Sequence, residues 1–118
     1  MLPGMAAKPR IAIVGAGNLG TALALSLWRA GYKIEAVMAH SRGASLKKAR
    51  KLARQVGAGV SVGPPAKVRA GIVWICVPDG EIARAAGALA DKIAWKGKVA
   101  LHSSGALASD ELNTLRRR

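Results

Sequence analysis

The sequence predicts a three-layer α/β domain, with helices on both faces of a parallel sheet of about five or six strands. Short apolar runs alternate with longer stretches of helical periodicity along the 118 residues, an order typical of parallel strands joined by right-handed crossovers. The apolar runs are continuous, as in strands buried on both faces. Hydrophobic residues make up 51% of the chain and aromatic residues only 3%, so we expect a core of Ala, Val, Ile and Leu.

The first half of the chain contains two strand–helix units. Ile11–Val14 is an apolar run that ends in glycine, as a fully buried strand does. A helix is expected over 18–30, with Gly31 as its C-terminal cap, and a second strand over 32–39. Ser45–Val56 has the clearest amphipathic pattern, because its apolar residues recur at helical spacing and basic residues occupy the other positions.

The second half continues the alternation. A short third strand is predicted over 60–62, and a continuous apolar run predicts a fourth over 72–77. Asp79 is a suitable N-cap for a helix that extends through residue 90. A fifth strand is expected over 98–102 and a final helix from residue 109, where Ser and acidic residues precede three arginines.

Composition excludes several classes of protein. Cys76 is the single cysteine, which rules out a disulfide framework or a metal cluster within one chain. The apolar stretches are too short to cross a membrane, and residues 1–10 lack the apolar segment of a signal peptide. We therefore expect a cytoplasmic protein with no metal, in which residues 1–10 form a leader, with Met5 as an alternative start. Residues 11–118 are expected to form one domain.

The chain is strongly basic, with 19 Lys and Arg, six Asp and Glu and a formal net charge of +13. No acidic residue occurs over 36–78, a stretch that holds eight basic residues. Such a balance raises nucleic acid as a partner. The sequence has no helix-turn-helix and no aromatic-basic surface motif, so we do not expect nucleic-acid binding. Most of the basic residues over 45–56 are typical of a solvated helix face.

A glycine pattern separates the first predicted strand from the first predicted helix. The sequence Gly-Ala-Gly-Asn-Leu-Gly, beginning at Gly15, matches G-x-G-x-x-G. Gly15 would permit a tight turn, Gly17 would let the backbone approach a pyrophosphate, and Gly20 would let the helix pack close to the strand. The amides of Asn18 and Leu19 would donate to the phosphates. Because the pattern lies between a strand and a helix, it predicts a dinucleotide-binding turn rather than a turn without a ligand.

The end of the second predicted strand bears on the choice between NAD and NADP. NAD sites usually carry Asp or Glu there, about 20 residues after the glycines, to bind the ribose hydroxyls. This chain has Ser41 and Arg42 instead, and Glu35 falls earlier, in mid-strand. Arg binds phosphate as a planar fork, Ser adds a hydroxyl donor, and Lys47 or Lys48 could supply further charge. We therefore predict NADP as the cofactor.

Several segments resemble one superfamily of oxidoreductases. They are Ile-Ala-Ile-Val-Gly-Ala-Gly-Asn-Leu-Gly at 11–20, Ser-Arg at 41–42 and Val-Trp-Ile-Cys-Val-Pro-Asp at 73–79. They resemble the N-terminal Rossmann domain of the superfamily that includes 6-phosphogluconate dehydrogenase, pyrroline-5-carboxylate reductase and the deazaflavin-dependent NADP reductases. Leu-His-Ser-Ser-Gly-Ala-Leu at 101–107 is most similar to uncharacterised oxidoreductases with a Rossmann-like N-terminal domain. The resemblance covers nearly the whole chain and implies a three-layer Rossmann fold that binds NADP.

The resemblance also implies where the nicotinamide lies. Val77, Pro78 and Asp79 would line the nicotinamide-ribose side of the cleft, and the loop after the fifth strand would face the nicotinamide and the substrate. The candidates for catalysis in that loop are His102, Ser103 and Ser104. These residue types also satisfy backbone groups in loops, so a structural role stays open for each.

Relatives in this superfamily carry a helical C-terminal domain that completes the substrate pocket and forms a homodimer. The chain stops as its last helix begins, so we expect that domain to be absent and hydride transfer to be incomplete without it. The implied partners are NADP(H) and a small-molecule substrate that the sequence does not identify. The alternative is a non-catalytic nucleotide-sensing or nucleic-acid-binding module on the same fold.

Overall fold

The computed structural model describes residues 8–65, 67–77, 79–92 and 98–102. Its five strands are β1 (Ile11–Val14), β2 (Ile34–Ala39), β3 (Gly59–Val62), β4 (Ile72–Ile75) and β5 (Val99–His102). Its helices are α1 (Asn18–Arg29), α2 (Ala44–Val56) and α3 (Ile82–Lys92). All neighbouring strands pair in parallel, in the order β3-β2-β1-β4-β5. The predicted parallel α/β fold is therefore confirmed.

The sheet separates two apolar layers. Because successive strand residues point to opposite faces, Ile11 and Ile13 pack with α1 and α2, whereas Ala12 and Val14 belong to the layer beneath α3. The buried core residues are aliphatic apart from Met38 and Cys76. This agrees with the core expected from the composition.

The first helix ends in a hydrogen-bonded turn that also sets the start of β2. Gly31 has φ +96°, and its N–H donates to the carbonyl oxygen of Trp28 at 3.0 Å. The N–H of Tyr32 donates to the carbonyl oxygen of Leu27, also at 3.0 Å. These bonds form a Schellman motif in which Ala30 is the C-cap and Gly31 follows it, so the prediction that Gly31 ends the helix is confirmed. Because Tyr32 belongs to this turn, β2 begins at Ile34 rather than at residue 32.

The segment between β4 and α3 differs from the prediction. β4 ends at Ile75, two residues earlier than expected, and Asp79–Glu81 forms a 3-10 turn before α3 begins at Ile82. The prediction of Asp79 as the N-cap of this helix is therefore wrong. Tight 3-10 turns are frequent at helix N-termini, and sequence patterns do not separate them from the first helical turn. The helix expected from residue 109 lies outside the described residues.

The strand order creates a crevice at one edge of the sheet. From β1 the chain proceeds outward to β2 and β3, then returns to the other side of β1 to form β4 and β5. The order reverses between β1 and β4. Ligands of open α/β sheets bind at such a reversal, outside the carboxyl ends of the strands.

Candidate functional site

The glycine turn between β1 and α1 lies at this crevice. Gly15 has φ +98°, and a Cβ added to it would lie 2.5 Å from the carbonyl oxygen of Cys76. A Cβ on Gly20 would overlap the carbonyl oxygen of Gly15. Gly17 differs, since no atom lies within 4 Å of the corresponding position. The fold therefore requires Gly15 and Gly20, whereas the absence of a side chain at Gly17 leaves free space beside the backbone.

Hydrogen bonds hold the turn in place. The N–H of Gly15 donates to the carbonyl oxygen of Met38 at 2.8 Å, which ties the turn to the end of β2. The hydroxyl of Thr21 donates to the carbonyl oxygen of Ala16 at 3.1 Å, which ties it to α1. A turn fixed in this way loses little conformational freedom when a ligand binds.

The N-terminus of α1 opens onto the crevice. Its N-cap is Gly17, no side chain caps it, and its first turn contains no acidic residue. Gly17, Asn18 and Leu19 are exposed. The first N–H groups of a helix lack acceptors within the helix and carry the positive end of its dipole. This arrangement suits an anion such as a pyrophosphate.

A cavity of about 410 Å³ joins the glycine turn to the loop after β2. Its lining brings together two motifs that are far apart in the sequence, the glycines and the Ser41–Arg42 pair. The residues that line it are Gly15, Ala16, Gly17, His40, Ser41, Arg42, Ala44, Ser45, Lys48, Cys76 and Val77. We call this space the cofactor cavity.

The two lysines considered for this site lie on different sides of α2. Lys48 lines the cofactor cavity, whereas Lys47 is exposed and does not. Adjacent residues of a helix differ by about 100° in direction, so only one of the two can face the glycine turn. The buried positions Ala49 and Leu52 set the rotation of the helix, and a helical wheel based on them could have favoured Lys48.

His40, which the sequence places in the loop expected to bind the adenosine, meets Ser45 in the wall of the cavity. Nδ1 of His40 lies 3.1 Å from Oγ of Ser45. This hydrogen bond joins the end of β2 to the first turn of α2 across the Ser41–Arg42 loop. It restricts that loop, and so also the position of Arg42, which lines the cavity.

Glu35, the one carboxylate on β2, has structural partners. Its Oε2 accepts hydrogen bonds from the N–H groups of Arg69 at 2.8 Å and Ala70 at 3.1 Å. Its Oε1 lies 3.8 Å from Nη1 of Arg10. Glu35 also lies in the first half of β2, away from the crevice, and no Asp or Glu is among the described residues that line the cofactor cavity.

A smaller cavity, of about 160 Å³, adjoins the cofactor cavity on the α3 side of the sheet. His40 and Val77 line both cavities. Most of the remaining lining is aliphatic, and the residues are Val14, Met38, Ala39, Gly63, Pro64, Glu81, Arg84, Ala85, Ala88 and Leu89. An apolar space with a few polar groups at its edge suits a weakly polar ring.

Only some of the predicted site residues near the fifth strand lie within the described residues. His102 ends β5 beside Ile75 of β4, and its Nδ1 is buried with no hydrogen-bond partner among the described residues. Asp79 begins the 3-10 turn after β4. Three predicted site residues lie outside the described residues, namely Pro78, Ser103 and Ser104.

Within the described ranges, no group of three or more His, Cys, Asp or Glu could hold a metal ion. No helix in these ranges has the length and apolar character needed to cross a membrane.

Comparison with solved structures finds the same fold in several oxidoreductases. A provisionally assigned NADP oxidoreductase from Bacteroides fragilis is 25% identical, with a TM-score of 0.74 over 85% of this chain and 37% of that chain. Prephenate dehydrogenase from A. aeolicus, solved with hydroxyphenyl propionate and NAD+, is 23% identical, with a TM-score of 0.69 over 94% of this chain and 40% of that chain. A diketoreductase is 16% identical, with a TM-score of 0.72 over 96% of this chain and 48% of that chain.

The chain thus spans less than half the length of each of these proteins. Comparison with curated proteins found no match. Residues 5–118 match the family model described as a Rossmann-like domain. Since this match includes nearly all of the sequence, the chain belongs to the Rossmann-like domain family.

Proposed function

We propose that the chain is the NADP-binding domain of an oxidoreductase that transfers hydride to or from a small-molecule substrate. The observation that carries the proposal is the cofactor cavity, which joins the glycine turn to Arg42 and Lys48 and has no carboxylate among the described residues of its lining. The likeness to the NADP oxidoreductase from Bacteroides fragilis supports a nicotinamide dinucleotide as the ligand.

In this proposal the pyrophosphate would lie at the N-terminus of α1. Gly17 leaves room for it beside the backbone, and the exposed amides of Asn18 and Leu19 would donate hydrogen bonds to it. The apolar cavity on the α3 side would hold the adenine, because it adjoins the cofactor cavity at His40 and Val77. Val77 would then contact the adenine rather than the nicotinamide ribose that the resemblance implies.

The preference for NADP over NAD would come from the loop after β2 and the first turns of α2. Ser41, Arg42 and Lys48 line the cavity there and would bind the 2′-phosphate through one hydroxyl and two cations. An NAD site would need a carboxylate at this position for the ribose hydroxyls. Glu35 is not available for that role, since the N–H groups of Arg69 and Ala70 bind its carboxylate.

Titration of the chain with NADPH and with NADH tests the proposal, with cofactor fluorescence as the signal. Two charged contacts to a partly exposed phosphate predict that NADPH binds about 2- to 30-fold more tightly than NADH. Equal affinities would contradict the preference for NADP. If neither NADPH nor NADH binds, the proposal as a whole is overturned.

Matched variants locate the phosphate contacts. We expect Arg42→Ala and Lys48→Ala each to weaken NADPH binding about 2- to 5-fold and to leave NADH binding unchanged. Lys47→Ala is the control, because it removes the same charge from the adjacent residue of α2, which does not line the cavity. An equal loss from Lys47→Ala would show that general electrostatic attraction, rather than contact, determines affinity.

The catalytic part of the proposal rests on the resemblance at 11–20, 41–42 and 73–79. We infer membership of the superfamily of 6-phosphogluconate dehydrogenase and pyrroline-5-carboxylate reductase, with a helical substrate-binding domain, a homodimer and a cytoplasmic location. The cofactor would supply the hydride chemistry, and the described residues would bind and orient it. His102 would then face the nicotinamide side from the end of β5.

A further inference from the structure

The outward side of α2 carries a set of exposed basic residues that the cofactor cavity does not use. We call it the basic face, and its members are Lys47, Arg50, Lys51 and Arg54. The inward side of the same helix is buried at Ala49, Leu52, Ala53 and Val56. Packing against the sheet therefore fixes the basic face towards solvent.

The charges on the basic face are unbalanced. Lys47 and Lys51 are four residues apart, as are Arg50 and Arg54, so like charges are neighbours on the helix surface. None of the four forms an ion pair with a described residue, and no acidic residue occurs over 36–78. Like-charge pairs at this spacing destabilise a helix. A polyanion bound along the face would remove that repulsion.

We propose that the basic face binds the phosphate backbone of double-helical nucleic acid. Residues 47–54 extend about 10 Å along the helix axis, a length over which a duplex presents several phosphates, since it carries one charge per about 1.7 Å. The face has no aromatic side chain on which unpaired bases could stack, so it favours a duplex over a single strand. Contacts to phosphates alone are independent of base sequence and require no helix-turn-helix.

The proposal is independent of cofactor binding. Lys48, on the adjacent side of α2, lines the cofactor cavity, but none of the four residues of the basic face does. Lys51 lines a separate cavity of about 490 Å³ at the N-terminus of α1, together with Gly17 and Asn18. Substitutions at Lys47, Arg50 and Arg54 should therefore change nucleic-acid affinity and leave the NADPH titration unchanged. The two proposals can fail separately.

Fluorescence anisotropy of a labelled DNA duplex of about 20 base pairs, titrated with the whole chain at several salt concentrations, tests the proposal. Four phosphate contacts predict a slope of log K against log salt of about −3.6, a loss of affinity of about 150-fold between 50 and 200 mM. The double variant Lys51→Gln/Arg54→Gln should reduce the slope to about −1.8, and the loss to about 12-fold. Lys47→Gln/Arg50→Gln should do the same.

The control is Lys33→Gln/Lys67→Gln, which removes two exposed charges outside α2 and should leave the slope nearly unchanged. Circular dichroism checks that each variant is folded, and NADPH titration checks that Lys47→Gln/Arg50→Gln leaves the cofactor site unchanged. An equal effect of the control variant would overturn the proposal, because net charge alone would then explain binding. Equal competition by polyglutamate, or binding to phosphatidylglycerol vesicles with none to the duplex, would also overturn it.

Discussion

The glycines of the turn after β1 illustrate how residues of one motif serve different purposes. A side chain at Gly20 would overlap the carbonyl oxygen of Gly15, so Gly20 is needed for α1 to pack against β1. Gly17 has an ordinary φ of −72° and free space where a side chain would be. The fold does not require glycine at this position. A ligand that approaches the backbone would require it, because a side chain would occupy the space that the ligand needs.

Alanine substitution separates these two purposes. We expect Gly20→Ala to lower the free energy of unfolding by about 3 kcal/mol, because backbone atoms must move to admit the methyl group. Gly17→Ala should change stability by less than about 0.5 kcal/mol and weaken NADPH binding about 10-fold or more. Urea denaturation and NADPH titration of both variants provide the measurements. The prediction fails if Gly17→Ala is as unstable as Gly20→Ala, or if it binds NADPH normally.

The glycines of the motif could be predicted from the sequence because the residues just before and after them indicate a strand and a helix. Gly15, Gly17 and Gly20 follow a buried run and open a helix, and the structure confirms that context. The position of Lys48 in the cavity lining depends on the rotation of α2 against the sheet. The hydrogen bond between His40 and Ser45 depends on it as well. That rotation follows from packing of the whole helix, which the local pattern does not specify.

At the scale of elements, two glycines associated with helices have opposite effects on stability. Gly31 follows α1 with φ +96°, a conformation that side chains oppose, and it forms the Schellman turn that leads into β2. Gly87 lies within α3, where an added Cβ would meet no atom within 4 Å. The same substitution should therefore destabilise one element and stabilise the other.

Gly31→Ala is expected to lower the free energy of unfolding by about 1–2 kcal/mol, the cost of a side chain at positive φ. Gly87→Ala is expected to raise it by about 0.5–1 kcal/mol, since alanine has the higher helix propensity. Chemical denaturation of both variants measures these changes, and each variant serves as the control for the other. A shift of the same sign in both would contradict the assigned geometry.

Element types were easier to predict than element ends. The apolar run at 11–14 is a strand buried on both faces, whereas the strand at 72–75 is buried on one face and partly buried on the other. The buried positions of α2 recur at helical spacing. The ends depend on particular hydrogen bonds. Tyr32 donates to α1 rather than to a strand, and Asp79 starts a 3-10 turn rather than a helix. Neither the hydrogen bond of Tyr32 nor the 3-10 turn at Asp79 changes the local pattern of apolar and polar residues, so that pattern does not predict them.

At the scale of the whole molecule, strand order decides which loops meet. The glycine turn follows β1, the Ser41–Arg42 loop follows β2, and Val77 follows β4, and these strands are neighbours in the sheet. Their carboxyl ends therefore surround one cavity, although the segments are separated by many residues in the chain. The rule for right-handed crossovers predicts parallel strands from the alternation of elements. The volume and the full lining of the cavity follow only from the packed structure.

Net charge is the other property of the whole molecule, and it affects stability as well as binding. The chain has 19 basic and six acidic residues. Within the described ranges a single ion pair, between Arg10 and Glu35 at 3.8 Å, offsets part of the positive charge. Repulsion among the remaining cations favours expansion of the chain and therefore opposes folding.

We therefore expect added NaCl to stabilise the protein, because salt screens this repulsion. Between about 20 and 200 mM NaCl, the free energy of unfolding should rise by about 1 kcal/mol, or about 4 °C in Tm for a domain of this size. The variant Lys47→Gln/Arg50→Gln should show a smaller rise, since it removes two charges from the basic face. Sodium sulfate at equal ionic strength is the control. Screening should raise Tm equally in both salts, and a larger rise in sulfate would measure the added effect of sulfate on apolar burial. A Tm that falls as NaCl increases would show that attractive ion pairs outweigh repulsion between like charges in this fold.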